Sequence, residues 1–150
     1  ITKVTPFVEK DFLAFSGFKP GPREFVSGAW LDFDLPRPFY DDPQRRDITF
    51  YGISGPRLDA DDAPRLYRWL ERTPFVSLCA SGNWADDFAE YVAFQHLTTV
   101  LQQPYRIHFR DTDGTNTVIE PLKSRVVQER LPIIRGVVYG EDRRSSPVGD

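Results

Sequence analysis

The segment that most constrains the fold is NWADDFAEYVAFQHLTTVLQQ, residues 83–103, the longest stretch of the chain with helical periodicity. Asn83 is a favourable N-cap residue, because its side-chain oxygen can accept hydrogen bonds from the first free backbone N–H groups of a helix. Pro104 cannot continue a helix, since it has no backbone N–H. The segment is therefore predicted to form one long helix that begins at Asn83 and stops before Pro104.

On a helical wheel, one side of this segment collects polar residues and is predicted to face solvent. That side is formed by Asp87, Tyr91, Gln95, Thr98 and Gln102. Asp86 and Glu90 lie elsewhere, one turn apart, in the same sector as Ala93, Leu97 and Leu101. Ionised carboxylates are costly to bury unless they are paired or bind a metal. The pattern therefore predicts that Asp86 and Glu90 point inward and that another group compensates their charge.

Two kinds of compensation remain open. In a structural interpretation, Asn83 caps the helix, Asp86 completes a capping box in the first turn, and Glu90 pairs with an arginine such as Arg125 or Arg130. In a functional interpretation, the two acids line a site, and a metal ion is the expected ligand.

The rest of the chain predicts an α+β fold dominated by helices, with one small β-hairpin and long irregular loops. Helices are predicted at 9–18, 59–73 and 121–131, a strand at 47–53, and a hairpin at 104–120 with DTDGTN as its turn. Residues 19–47 are predicted to be loop-rich, with at most one strand near 25–33. Residues 1–140 are assigned to a single domain or subdomain, and residues 141–150 to a polar tail.

Composition excludes several classes of protein. The chain is 40% hydrophobic and 14% aromatic, which is far too apolar for a disordered protein. Its net charge is -3 and it has no basic block, so nucleic acid and anionic membrane surfaces are not expected partners. The apolar runs are short and interrupted, so no transmembrane segment is predicted. A single cysteine excludes an internal disulfide framework and a Cys-rich zinc site, and it is equally compatible with the bacterial cytoplasm and the cell envelope.

Residues 79–93, CASGNWADDFAEYVA, resemble the helix that carries the third metal ligand in gluzincin zinc metallopeptidases. In many of those proteins a segment of the kind EDFAE follows the H-E-x-x-H helix. Its first Glu binds zinc, and the acid one turn later supports a zinc-bound histidine. The resemblance implies that Asp86 is the metal ligand, that Glu90 is the supporting acid, and that Cys79 occupies a position where a catalytic Tyr often stands. FLAFSGF and KSRVVQERLPIIRGVVYG resemble further parts of the bacterial members.

The resemblance implies that the chain is the C-terminal portion of a zinc-dependent hydrolase that cleaves a peptide or protein substrate with a zinc-activated water. The chain has no H-E-x-x-H, because His96 and His108 are its only histidines. The two histidine ligands and the general-base Glu are therefore expected in an N-terminal segment upstream of Ile1. Asp86 stands where the family has Glu, which shortens its reach toward a metal.

The alternative is a non-catalytic protein-interaction module or an inactive peptidase relative, in which Asp86 and Glu90 are structural. The candidates for its exposed apolar patch are Trp30, Phe39, Tyr40 and Phe50.

Three further side chains carry expectations of their own. His96 is predicted to be a hydrogen-bonded core histidine, and His108 to face solvent beside Arg106 and Arg110. Cys79 has no histidine or asparagine in its local sequence that would suit a nucleophile, so a buried thiol is predicted.

Overall fold

The computed structural model describes residues 21–48 and 57–138, which adopt an α+β fold of helices and a two-stranded antiparallel sheet. The α-helices are α1 (Gly21–Ala29), α2 (Ala63–Leu70), α3 (Trp84–Thr99), α4 (Arg125–Gln128) and α5 (Leu131–Val138). The strands are β1 (Ile107–Arg110) and β2 (Asn116–Ile119), and short 3-10 helices cover Pro43–Asp47, Ala60–Asp62 and Pro121–Lys123. No helix in these two ranges is long and apolar enough to cross a membrane.

The long helix α3 confirms the main prediction from the sequence. Asn83 caps it, because its Oδ1 accepts hydrogen bonds from the backbone N–H groups of Ala85 (3.0 Å) and Asp86 (2.9 Å). The helix ends at Thr99, earlier than predicted. Gln102 has a φ of 56°, in the left-handed region, and the N–H of Gln103 bonds back to the carbonyl of Leu97 at 3.0 Å. This backbone closure, and not Pro104, terminates the helix.

Residues 31–42 form the irregular stretch that was predicted, but the possible strand near 25–33 was wrong, because residues 21–29 form helix α1. The prolines and glycines of this region were read as loop signals. Pro22, however, lies in the first turn, where a missing N–H costs nothing, and a Cβ at Gly28 would meet open space. Phe25 and Ala29 are four residues apart and fully buried where α1 packs against α3 and α5. Tertiary packing therefore outweighs local propensity here.

The predicted hairpin is confirmed. Ile107 pairs with Ile119 and Arg110 with Asn116, and the turn contains Gly114 at a φ of 85°. His108 is exposed between its neighbouring arginines, as the alternation along the strand predicted.

The helix predicted at 59–73 is also confirmed, as a capped 3-10 turn at Ala60–Asp62 that continues into α2. The helix predicted at 121–131 is divided instead. A 3-10 turn that starts at Pro121 is followed by α4, for which the Ser124 hydroxyl accepts a hydrogen bond from the N–H of Val127 at 3.3 Å. The helix predicted at 9–18, most of the strand predicted at 47–53, and the tail at 141–150 lie outside the described residues.

The main core forms where α1, α3 and α5 meet. Phe25, Phe75, Tyr91 and Ile134 are each 0% exposed, and aromatic rings from α1 and α3 meet edge to face. This packing decides which side of α3 faces inward, and therefore where its acidic side chains lie.

Candidate functional site

The orientation of α3 is the reverse of the one predicted from the helical wheel. Asp87, Tyr91 and Gln95, which were assigned to solvent, are buried. The sector assigned to the core is open: Asp86 and Ala93 are exposed. Val100 and Leu101, just beyond the helix, are 53% and 54% exposed. The prediction that Asp86 and Glu90 point into an apolar core is therefore wrong.

The reversal has a physical cause in the partners of the buried polar groups. The carboxylate of Asp87 accepts hydrogen bonds from the indole of Trp30 (2.8 Å) and from Arg130 (2.7 Å and 3.3 Å). The hydroxyl of Tyr91 donates to the carbonyl of Val127. Because these partners satisfy the hydrogen-bonding groups of Asp87 and Tyr91, both side chains can be buried. The sector of α3 that contains Asp86 and Ala93 is rich in alanine, and burial of alanine side chains removes little apolar surface from water.

The two arginines suggested as partners of Glu90 bind other acids. Arg130 binds Asp87, and Arg125 binds Glu129 at 3.0 Å in an exposed pair. Complete burial raises the pKa of Asp87, and the positive charge and hydrogen bonds of Arg130 act against that rise.

Asp86 lies in the first turn of α3 with its side chain in solvent. Its Oδ2 accepts a hydrogen bond from Nδ2 of Asn83 at 2.7 Å. Asn83 caps the helix as the structural interpretation requires, but the predicted capping box is not formed, because Asp86 accepts from the side-chain amide of Asn83 and not from its backbone N–H. An acid at this position also interacts favourably with the helix dipole.

Glu90, one turn further along α3, is half-buried at the edge of a groove of about 410 Å³. Its carboxylate accepts a hydrogen bond from the hydroxyl of Ser77, and the thiol of Cys79 lines the same groove. Ser77 is itself held in place, because its Oγ accepts the backbone N–H of Ala80 at 2.9 Å. The groove is lined by Tyr67, Ser77, Leu78, Cys79, Glu90, Phe94, Tyr105 and Ile107.

Aromatic rings form much of the groove wall. Phe94 and Tyr105 are stacked with ring centroids 3.8 Å apart, and Tyr67 stacks on Phe109 at 5.5 Å. The hydroxyl of Tyr105 donates to the carbonyl of Val76 at 3.0 Å, which fixes the ring against the segment that precedes Ser77. The groove therefore combines rigid apolar walls with one carboxylate and one thiol, the composition typical of a small-ligand site.

Cys79 was predicted to be a buried thiol, whereas it is half-buried and lines the groove. Burial raises the pKa of Cys79 to about 11, and the charges of Glu90 and Asp86 add to the rise. The thiol is therefore protonated at neutral pH and is a poor nucleophile.

Glu90→Gln is expected to lower the pKa of Cys79, since it removes the largest electrostatic cause of the rise and leaves only burial and Asp86. At about pH 8, iodoacetamide should then alkylate the variant about three- to tenfold faster than the wild type, because only the thiolate reacts. Cys79 is the only cysteine in the chain, so the pH–rate profile of alkylation reports it alone. Glu120→Gln, which removes a carboxylate that does not line this groove, is the control and should leave the profile unchanged. An unchanged profile in Glu90→Gln would contradict the assigned cause.

The donor set fits zinc only in part. A carboxylate such as that of Asp86 is a suitable zinc ligand, but a stable site needs three or four convergent protein ligands. Among residues 21–48 and 57–138, no group of three or more His, Cys, Asp or Glu side chains could hold a metal ion. His96 was predicted to be a core histidine, but it is exposed on the outer side of α3. It still interacts with another group of the protein.

The apolar patch predicted for the alternative function is only partly present. Trp30 is 3% exposed and belongs to the core, Tyr40 is half-buried, and Phe50 lies outside the described residues. Phe39 is 76% exposed, with its ring 4.9 Å from that of Tyr40.

Sequence reasoning missed most of the groove. Phe94 follows Glu90 by one helical turn, and this spacing was visible in the sequence. Ser77, Tyr67 and Tyr105 come from three other segments, and no local pattern could have joined them to Glu90.

The comparisons with known proteins identify no family for this chain. No protein-family model matches the chain, and neither a curated protein nor a solved structure is detectably similar to it.

Proposed function

We propose that this chain contributes one side of a zinc-dependent peptidase site of gluzincin type. In this proposal Asp86 is a zinc ligand, Glu90 orients a zinc-bound histidine, and a peptide or protein is the substrate. The observation that supports it is the spacing of the two acids, four residues apart on α3, with Asp86 exposed and Glu90 half-buried at the edge of a groove. An acid that must reach a metal bound by other ligands has to be accessible, and Asp86 is.

The proposal requires ligands that the described residues do not supply. The two histidines and the general-base Glu of an H-E-x-x-H helix would come from an additional segment, expected upstream of Ile1. That segment would lie over the outer side of α3, where the apolar side chains of Val100 and Leu101 are more than half exposed. When bound, zinc would supply the activation of a water for attack on the scissile carbonyl.

Within this chain, two neutral side chains would orient Asp86 and Glu90 for these roles. The amide of Asn83 donates to one oxygen of Asp86 at 2.7 Å and leaves the other oxygen accessible. The hydroxyl of Ser77 donates to Glu90. Hydrogen bonds of this kind orient a carboxylate for a metal or for a metal-bound histidine.

The test is the zinc content of the intact gene product, purified without chelators. Asp86→Ala is expected to lose stoichiometric zinc, and Glu90→Ala to weaken zinc affinity about 10–100-fold, since partners of zinc ligands contribute on that scale. Peptide hydrolysis should fall in parallel. Asp61→Ala removes an exposed acid from another helix start and is the matched control. Unchanged zinc content and hydrolysis in both α3 variants would refute the proposal.

A second candidate is a non-catalytic interaction module. It is favoured by one observation: the segment after α1 exposes Leu31 by 56%, Leu35 by 38% and Phe39 by 76%. The same purified gene product distinguishes the two candidates, because an interaction module would contain no zinc and would bind a partner in one-to-one stoichiometry.

A further inference from the structure

Helix α3 carries two pairs of an acid and an aromatic residue, each four residues apart. The inner pair is Asp87 and Tyr91, and the outer pair is Glu90 and Phe94. The inner pair holds a guanidinium: Arg130 lies 2.7 Å from the Asp87 carboxylate, with its guanidinium carbon 5.6 Å from the centre of the Tyr91 ring. An acid and a ring at this helical spacing therefore already bind an arginine side chain in this molecule.

The outer pair has the same chemistry without a cation. Glu90 accepts a hydrogen bond from one neutral donor, the hydroxyl of Ser77. Within the described part of the chain, Glu90 forms no ion pair, and no lysine or arginine lines the groove. A carboxylate has about four acceptor positions, so one neutral donor leaves room for a cationic ligand.

The electrostatics of the groove also favour a cationic ligand. After burial, the charge of Glu90 is the largest cause that raises the pKa of both Cys79 and Tyr105. Both groups thus experience the negative charge of Glu90, and no lysine or arginine of the described residues is among the causes that shift either pKa. The charge of Asp86 adds to this effect at Cys79. Positive charge is the complement that this groove favours.

We propose that the groove beside Glu90 binds an arginine side chain of a peptide. The guanidinium would bind the Glu90 carboxylate, and the stem would lie against the rings of Phe94 and Tyr105. Arginine is favoured over lysine because its planar guanidinium stacks on aromatic faces and meets a carboxylate with two hydrogen bonds. A groove of about 410 Å³ has room for one such side chain. In this role Glu90 binds the ligand instead of a zinc-bound histidine, so the inference goes beyond the proposed function and does not depend on it.

The test compares two probes, N-acetyl-arginine N-methylamide and its citrulline counterpart, which is neutral and nearly isosteric. Each is titrated against the full chain in EDTA at low ionic strength, and the dissociation constant is measured from NMR chemical-shift changes. The arginine probe is expected to bind about tenfold more tightly, as a charge-assisted hydrogen-bonded pair predicts. It should also protect Cys79 from alkylation, since this thiol lines the groove.

Three variants make the result specific to Glu90. Glu90→Gln should reduce the arginine preference to less than about twofold, whereas Glu90→Asp, which keeps the charge, should retain about threefold or more. Glu120→Gln removes a carboxylate elsewhere and should leave the preference unchanged. Urea unfolding of each variant verifies that it is folded. Equal affinity for the two probes, or a preference that persists in Glu90→Gln, would overturn the inference.

EDTA separates this result from the zinc measurement. Loss of zinc in Asp86→Ala without an arginine preference would leave the peptidase proposal standing and overturn the arginine-binding groove. An arginine preference in a protein that never binds zinc would leave an arginine-binding groove without peptidase chemistry.

Discussion

Asp87→Ala is expected to lower the free energy of unfolding by about 3–5 kcal/mol, because it leaves a buried guanidinium without its counter-charge. Asp87 is 0% exposed and Arg130 is 6% exposed. The pair joins helix α3 to the segment between α4 and α5, and the indole of Trp30 shares the same carboxylate at 2.8 Å. Urea denaturation of the wild type and the variant measures the difference.

The remaining contacts of Arg130 explain why the loss should be large. Its guanidinium also donates to the carbonyls of Pro74 (2.8 Å) and Phe25 (3.2 Å), so it cannot leave the core without breaking backbone contacts.

Glu129→Ala is the matched control for this prediction. It breaks the exposed pair with Arg125 next to the same region of the chain, and exposed pairs contribute only about 0–1 kcal/mol. If Asp87→Ala lowered the stability by no more than Glu129→Ala, the buried pair would not be a determinant of this fold.

The same buried pair explains how far the fold was predictable from the sequence. The N-cap of α3 and the turn of the hairpin depend on residues that are adjacent in the chain, and both were predicted correctly. The facing of α3 depends on Trp30 and Arg130, which are distant in sequence from Asp87. A helical wheel treats Asp87 as a solvated group, because it contains no information about those partners.

The candidate site was predictable to a similar extent. The spacing of Asp86 and Glu90 on one side of a helix follows from helical geometry and is confirmed by the structure. Whether that side faces the core or the surface does not follow from spacing, and the prediction was wrong on this point. The groove itself requires Tyr67, Ser77 and Tyr105 to converge, which is a property of the tertiary fold.

The helix at 21–29 also depends on tertiary contacts that local sequence signals do not contain. Its proline and two glycines are local signals for a loop, yet Phe25 supplies enough buried contact to fix a helix. The phenylalanine ring lies 5.4 Å from each of the rings of Phe88 and Tyr91, and the guanidinium carbon of Arg130 lies 3.5 Å from its centre. One side chain of α1 thus contacts both the apolar core and the buried cation.

Phe25→Ala is therefore expected to lower the free energy of unfolding by about 3–5 kcal/mol, through lost apolar burial and the cavity that remains. Phe25→Leu restores most of the apolar volume without an aromatic face for Arg130, and a smaller loss of about 1–2 kcal/mol is expected. The difference between the two variants separates packing from the cation–π contact, and urea denaturation measures both. A loss below about 1.5 kcal/mol in Phe25→Ala would mean that this core collapses around the missing ring, since incomplete collapse is the reason such substitutions are costly. In that case α1 would be held to α3 and α5 by its other contacts, and Phe25 would not be the residue that converts a loop-like sequence into a helix.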